Sequence, residues 1–119
     1  MKTAIRVFLF ILNIWIFNLG IVNAEESAFS KYKASAEILV KAQKLDLLYD
    51  LDWRPPKEPK VAIGSGFYQI SFGTQENLIL TINCFLMAGN DKQFVNFDVL
   101  DWKTGKRIGR FADGKFKMD

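Results

Sequence analysis

Phe67–Met87, FYQISFGTQENLILTINCFLM, is the stretch on which the reading of the fold turns. Two runs rich in aromatic and β-branched residues flank the polar link Gly73-Thr-Gln-Glu-Asn77. Runs of that composition, bounded by Gly and Asn, read as strands over Phe67–Phe72 and Leu78–Met87. Downstream, Phe94–Asp101 and Lys106–Phe111 read the same way, separated by Ala88–Lys92 and by Lys103-Thr-Gly105. Short links join antiparallel neighbours, so the expected topology is a meander. The last link suits a type I turn followed by a left-handed glycine at Gly105. Val61–Ile63 adds an edge strand, with Gly64-Ser65-Gly66 as a bend, giving four to five strands.

Upstream, Ser27–Lys44 reads as an amphipathic helix introduced by Glu25 and Glu26, where acids favour a helix N-terminus. Phe29, Tyr32, Ala36, Leu39 and Val40 form its apolar stripe, which Ile38, Ala42 and Leu45 widen, while Lys33, Glu37, Lys41 and Lys44 line the opposite side. From Leu45 to Trp53 the alternation has period two, so a short strand competes with continuation of the helix to about Tyr49; the expectation carried forward is continuation. Arg54-Pro55-Pro56-Lys57-Glu58-Pro59 then stops the element, because proline lacks the donor and biases the preceding residue out of the helical region. The expected class is α+β: one N-terminal amphipathic helix packed on a four- to five-stranded antiparallel meander sheet. The segments are 25–54 helical, 55–60 Pro-rich connector and 61–119 sheet, with 25–119 a single domain.

Alternation assigns the strand residues to two faces. Tyr68, Ile70, Phe72, Leu80, Ile82, Cys84, Leu86, Val95, Phe97 and Val99 fall on the side the helix covers. Phe67, Ile79, Phe85, Met87, Phe94, Leu100 and Trp102 fall on the other, which one helix cannot also cover. Aromatic side chains of ~150 to 250 Å² each make a sizeable apolar patch there. Phe85, Phe94, Leu100 and Trp102 are therefore the candidate protein-binding residues.

Before the domain lies Val7–Val22, VFLFILNIWIFNLGIV, behind the basic start at Lys2 and Arg6 and ahead of a polar end closing at Ala24. This is the order of an export signal cut after Ala24. The alternative, an uncleaved anchor, needs ~18 to 20 apolar residues, and this run is shorter and contains Asn13 and Asn18. Removing 1–24 takes two of the 16 basic side chains and none of the 13 acids, leaving 95 residues with a formal charge of +1. Overall basicity is thus no argument for nucleic acid. The expected location is periplasmic or secreted, or membrane-anchored with the domain outside the cytoplasm. Cys84 is the sole cysteine, so no internal disulfide staples the domain.

The chemistry the sequence lacks is informative. With no histidine, the commonest general base and most zinc sites are gone. Asp46, Asp50 and Asp52 lack the glycine and terminal acid of a calcium loop. Gly64-Ser65-Gly66 lacks the lysine of a phosphate loop. No enzyme activity, metal or cofactor is expected. A basic cluster remains near the C-terminal end: Lys103, Lys106, Arg107, Arg110, Lys115 and Lys117 are candidate anion-binding residues for lipid headgroups or glycans. Val99–Phe111 resembles the turn repeated in quinone-cofactor propeller blades, and a helix before a meander is similar to cystatin-like and PepSY-like modules; these are likenesses of shape and imply no function here. The functional expectation is a small exported module that binds another protein, such as an envelope-assembly subunit or an inhibitor of an extracellular enzyme. The alternative is a binder of anionic lipid or glycan.

Overall fold

A computed structural model describes residues 23–119, with side chains described from Ser27 onward. The export signal or anchor lies outside these residues, and the expected cut after Ala24 falls at the second residue of the first helix. The chain runs α1 (Asn23–Lys44), β1 (Leu48–Asp52), β2 (Lys60–Ile63), a 3-10 turn (Ser65–Gln69), α2 (Phe72–Leu86), β3 (Phe97–Asp101), β4 (Arg107–Ala112) and β5 (Lys115–Met118). The five strands form one sheet in chain order. The fold is α+β as expected, but the described residues hold two α-helices, and the sheet is mixed.

The largest correction falls on 67–87. Phe67–Gln69 belongs to the 3-10 turn, and the expected strand Leu78–Met87 is the body of α2. Buried Gln75, Leu78, Ile79, Ile82, Asn83 and Phe85 recur at steps of three and four, the period of a helix rather than a strand. The link once read as a turn is the first part of that helix: the Ser71 hydroxyl caps it by accepting from the Thr74 N–H (3.2 Å). Since α2 replaces a strand, β2 and β3 become neighbours, and they pair in parallel, Val61 opposite Val99. The other three pairings are antiparallel.

The first helix stops at Lys44 instead of continuing to Tyr49. The Leu47 N–H reaches back to the Ala42 carbonyl (2.8 Å) and the Asp46 N–H to Gln43 (3.2 Å), with Asp46 in the left-handed region at φ 61. That pair of bonds is the Schellman closure. Asp46 is then held in place: Gly66 donates its N–H to the Asp46 carbonyl (2.8 Å), and the Ser65 hydroxyl bonds the Asp46 carboxylate. A side chain at Gly64 would overlap the Asp46 backbone, so Gly64-Ser65-Gly66 is more than a bend: it seats the turn that launches β1. The second helix ends in the same way, with Gly89 bonded to Cys84 (2.8 Å) and Ala88 at φ 55. A further turn differs from the expectation: Asp113 (φ 53) and Gly114 (φ 80) close a two-residue hairpin, so the expected tail at Lys115 is strand β5.

Both helices lie on one side of the sheet. Tyr32 and Leu39 of α1, Ile79 and Ile82 of α2, and Val61, Ile63, Phe97, Val99 and Phe111 of the strands share one core. Tyr32 stacks on Phe85 across the helix pair at 5.1 Å between ring centroids. Ile38 and Leu45, expected in the stripe, are exposed and line a groove of about 290 Å³ with Leu47 and Ile70. Asn83, almost fully buried, donates to the Gln93 carbonyl and accepts from the Val95 N–H (both 2.9 Å), fastening the loop that leads back to β3.

Two glycines give opposite expectations. A methyl group at Gly89, where φ is 88, would overlap the Ala28 carbonyl and force α1 away from α2. Gly89→Ala should cost about 2 kcal/mol or more, lowering Tm by ~10 °C. At Gly73 a methyl group meets nothing, and Gly73→Ala should raise stability by about 0.5 to 1 kcal/mol through helix propensity. Thermal unfolding of the two variants checks both signs.

Candidate interaction face

The strand register fixes which side chains occupy the face that no helix of the described residues covers. One row crosses all five strands: Asp52, Lys60, Asp98, Arg110 and Lys117. The next row holds Asp50, Ala62, Leu100 and Arg107. A register shift between Leu48 and Asp50 inserts Tyr49 at the β1 end of that row. There its ring packs against Trp102 at 5.6 Å between centroids, with both side chains 41% exposed.

Charges on the face are organised. Arg110 donates to Asp98 (2.8 Å) and forks over the Glu58 carboxylate (2.9 and 3.1 Å). Arg107 makes the same fork with Asp119 (2.9 and 3.1 Å) and lies 3.6 Å from Asp98. The pKa of Arg110 is raised by its hydrogen bonds to Glu58 and then Asp98, that of Arg107 first by its bond to Asp119. Two of the six expected anion-binding residues are therefore already paired with carboxylates. Of the rest, Lys115 and Lys117 join Arg107 and Arg110 around a depression of about 630 Å³ along β5, which Asp113 and Asp119 also line. Lys103 and Lys106 stand apart on the β3–β4 turn.

The expected protein-binding residues do not form one patch. Phe85 is on α2 and 4% exposed, in the core. Phe94 precedes β3, packs edge-on to Phe111 (6.2 Å) and lies over Gly114, where an added methyl group would meet its ring, so it covers the β4–β5 turn. Trp102 follows β3, so a strand of ~16 Å separates the two. Leu100 and Trp102 do share the bare face, and Tyr49 joins them. Cys84 is half-buried on α2, not on a strand. Tyr49 was overlooked because β1 was read as helix; the strict alternation from Leu45 to Trp53 was the available signal.

Trp102 is placed by its neighbour. Asp101 points to the helix side, where its carboxylate accepts from the Tyr68 hydroxyl of the 3-10 turn. It also accepts from the N–H groups of Lys103 (3.0 Å) and Thr104 (2.8 Å) and from the Thr104 hydroxyl (3.1 Å). The Trp102 N–H meanwhile bonds the Ile63 carbonyl (3.0 Å), and Gly105 turns left-handed at φ 74. Among the described residues, no group of three or more His, Cys, Asp or Glu side chains gathers to hold a metal, and no helix is long and apolar enough to cross a membrane. No known protein family matches the chain, nor does any curated protein or solved structure.

The Tyr68–Asp101 bond titrates at both ends of the pH scale. Partial burial and then Asp101 push the Tyr68 phenol up from 10.0 to about 12, and Tyr68 holds the Asp101 carboxyl below its ordinary 3.8. The raised tyrosine contributes stability below pH 10 that is lost as pH rises through about 12, and the depressed aspartate contributes stability lost as pH falls below 3.8. Asp101→Asn should bring the Tyr68 midpoint back toward 10.0, read from the tyrosine ring resonances in NMR. An unchanged midpoint would show that burial alone sets it.

Proposed function

We propose that this chain is a small non-enzymatic module that binds another protein through the bare face of its sheet, with Tyr49, Leu100 and Trp102 as the anchoring side chains. The observation that carries the reading is the Tyr49–Trp102 ring pair, each residue 41% exposed, on a face that no helix of the described residues covers, next to Leu100, which stands opposite Arg107. Tyr, Trp and Arg are the residues in which interface binding energy concentrates. Pairing of the arginines with Glu58, Asp98 and Asp119 suits a surface that docks on a shaped partner. It tells against a simple polyanion binder, since Arg107 and Arg110 are already paired with carboxylates. With an export signal at 1–24, the partner is an exported or envelope protein, and the module acts as an accessory subunit or an inhibitor outside the cytoplasm.

Crosslinking in the native compartment identifies the partner, and the purified pair then gives the affinity. Tyr49→Ala with Trp102→Ala should weaken binding by ~30-fold or more, the loss of one interface hot spot or better, while circular dichroism and thermal unfolding stay close to the parent. Lys103→Glu with Lys106→Glu should leave affinity within about threefold, as rim charges do. The reverse pattern would transfer the reading to the basic turn.

A further inference from the structure

The two edges of the sheet are not alike. At the β1 edge two backbone groups are already taken: the Gln43 side chain donates to the Tyr49 carbonyl (3.4 Å), and the Leu51 N–H donates to the side chain of Asp50 (2.9 Å). At the β5 edge no such bond is made among the described residues. The Asp119 N–H bonds the Ile108 carbonyl (2.9 Å), which sets the phase of the β4–β5 ladder. In an antiparallel pair the inward-bonding residues alternate, so Lys115, Lys117 and Asp119 turn their backbone groups to β4, and Phe116 and Met118 turn theirs outward. Among the described residues no turn or side-chain bond closes them off.

The flanks of that edge differ in chemistry. On the bare face stand Lys115 and Lys117, with the depression of about 630 Å³ between them and Arg107 and Arg110. Neither lysine has an ion-pair partner among the described residues, and the flanking acid Asp119 is held by Arg107. On the helix side the edge is apolar: Phe72, 48% exposed, stacks on Phe116 at 6.0 Å, and Met118 is 41% exposed. A strand added here alternates between a cationic and an apolar surface.

We infer that the β5 edge receives an extended segment of the partner protein in which acidic residues alternate with apolar ones. The outward groups of Phe116 and Met118 supply the ladder bonds, Lys115 and Lys117 face the carboxylates, and Phe72 and Met118 meet the apolar side chains. This rests on the protein-binding reading above and extends its footprint. Five strands ~4.8 Å apart and ~17 Å long present a flat face of ~400 Å², about half the ~800 Å² that each partner of a stable complex buries. A second copy is a poor occupant. Pairing β5 with itself sets lysine against lysine, and although Leu48–Asp52 has the right alternation, its Tyr49 carbonyl and Leu51 N–H are already bonded.

The test uses the full-length chain and a short peptide alternating Glu with Val, with an alternating Lys–Val peptide as control. The acidic peptide should bind, more weakly as salt rises, and should slow hydrogen exchange at the Phe116 and Met118 amides. Met118→Pro removes one outward N–H without touching the bonds to β4, and it should weaken binding about tenfold or more, as should Lys115→Glu with Lys117→Glu. Unaltered binding in Met118→Pro together with loss in the lysine variant would reduce the edge to charge adsorption and overturn the inference. So would equal binding of the basic peptide, or concentration-dependent self-association in place of peptide binding. Measured in parallel, capture of the natural partner that survives both edge variants but not Tyr49→Ala with Trp102→Ala would overturn the edge and leave the face reading intact. Capture that fails only in the edge variants would retain the edge and remove the face.

Discussion

The parallel pairing of β2 with β3 is the constraint from which the rest of the arrangement follows. Parallel neighbours cannot be joined by a tight turn, so the chain between Ile63 and Phe97 must leave the sheet, cross it and return to the same end. The 3-10 turn and α2 make that crossing on the side where α1 already lies. Two helices then share one face, and Tyr32, Phe85, Ile79 and Ile82 complete a core that one helix could not fill. No helix of the described residues lies on the opposite face. A meander would have left the same number of strands with no reason for a second helix; the crossover supplies it.

The face that no described helix covers exposes its side chains to solvent. Its central positions are therefore charged, and the charges are arranged across strands: β2, β3 and β4 place Lys60, Asp98 and Arg110 side by side. Exposed ion pairs of this sort contribute little individually. Their geometric effect is larger, because Glu58 brings the Pro-rich connector onto Arg110 and Asp119 ties the end of β5 to Arg107. The apolar residues of the face are pushed to its β1–β3 end, where Tyr49 and Trp102 meet.

Much of this was legible in the sequence where one local signal spoke alone. The stripe Tyr32, Ala36, Leu39 and Ala42 in α1, the hairpin glycine Gly105, and the outward phase of Leu100 and Trp102 all follow from simple periodicity. What escaped did so for definable reasons. In α2, Ile79, Thr81, Ile82 and Phe85 carry strand propensity, and burial against α1 and the sheet overrides it. The first helix ends at a left-handed residue that is not glycine, Asp46, so the usual stop signal is missing there. Helix continuation past Leu45 hid β1, and with it Tyr49. Asp113-Gly114 did carry a hairpin signature, but one overshadowed by the basic residues around it. The ion pairs join residues far apart in the chain, and no local pattern announces them.

The candidate face also depends on a residue pointing away from it. Consecutive side chains of a strand go to opposite sides, so fixing Asp101 on the helix side fixes Trp102 on the bare side. Asp101 is bound by the Tyr68 hydroxyl, two backbone N–H groups and a threonine hydroxyl, leaving the carboxylate no freedom to swing. The Trp102 backbone is tied to Ile63, the end of the strand that leads straight into Gly64-Ser65-Gly66, which seats the Asp46 turn and so the start of β1, where Tyr49 stands. The two aromatic rings come from elements distant in sequence, yet both are positioned through Ile63–Gly66. The crossover that forces the helices to one side thus also brings the anchoring pair together on the other.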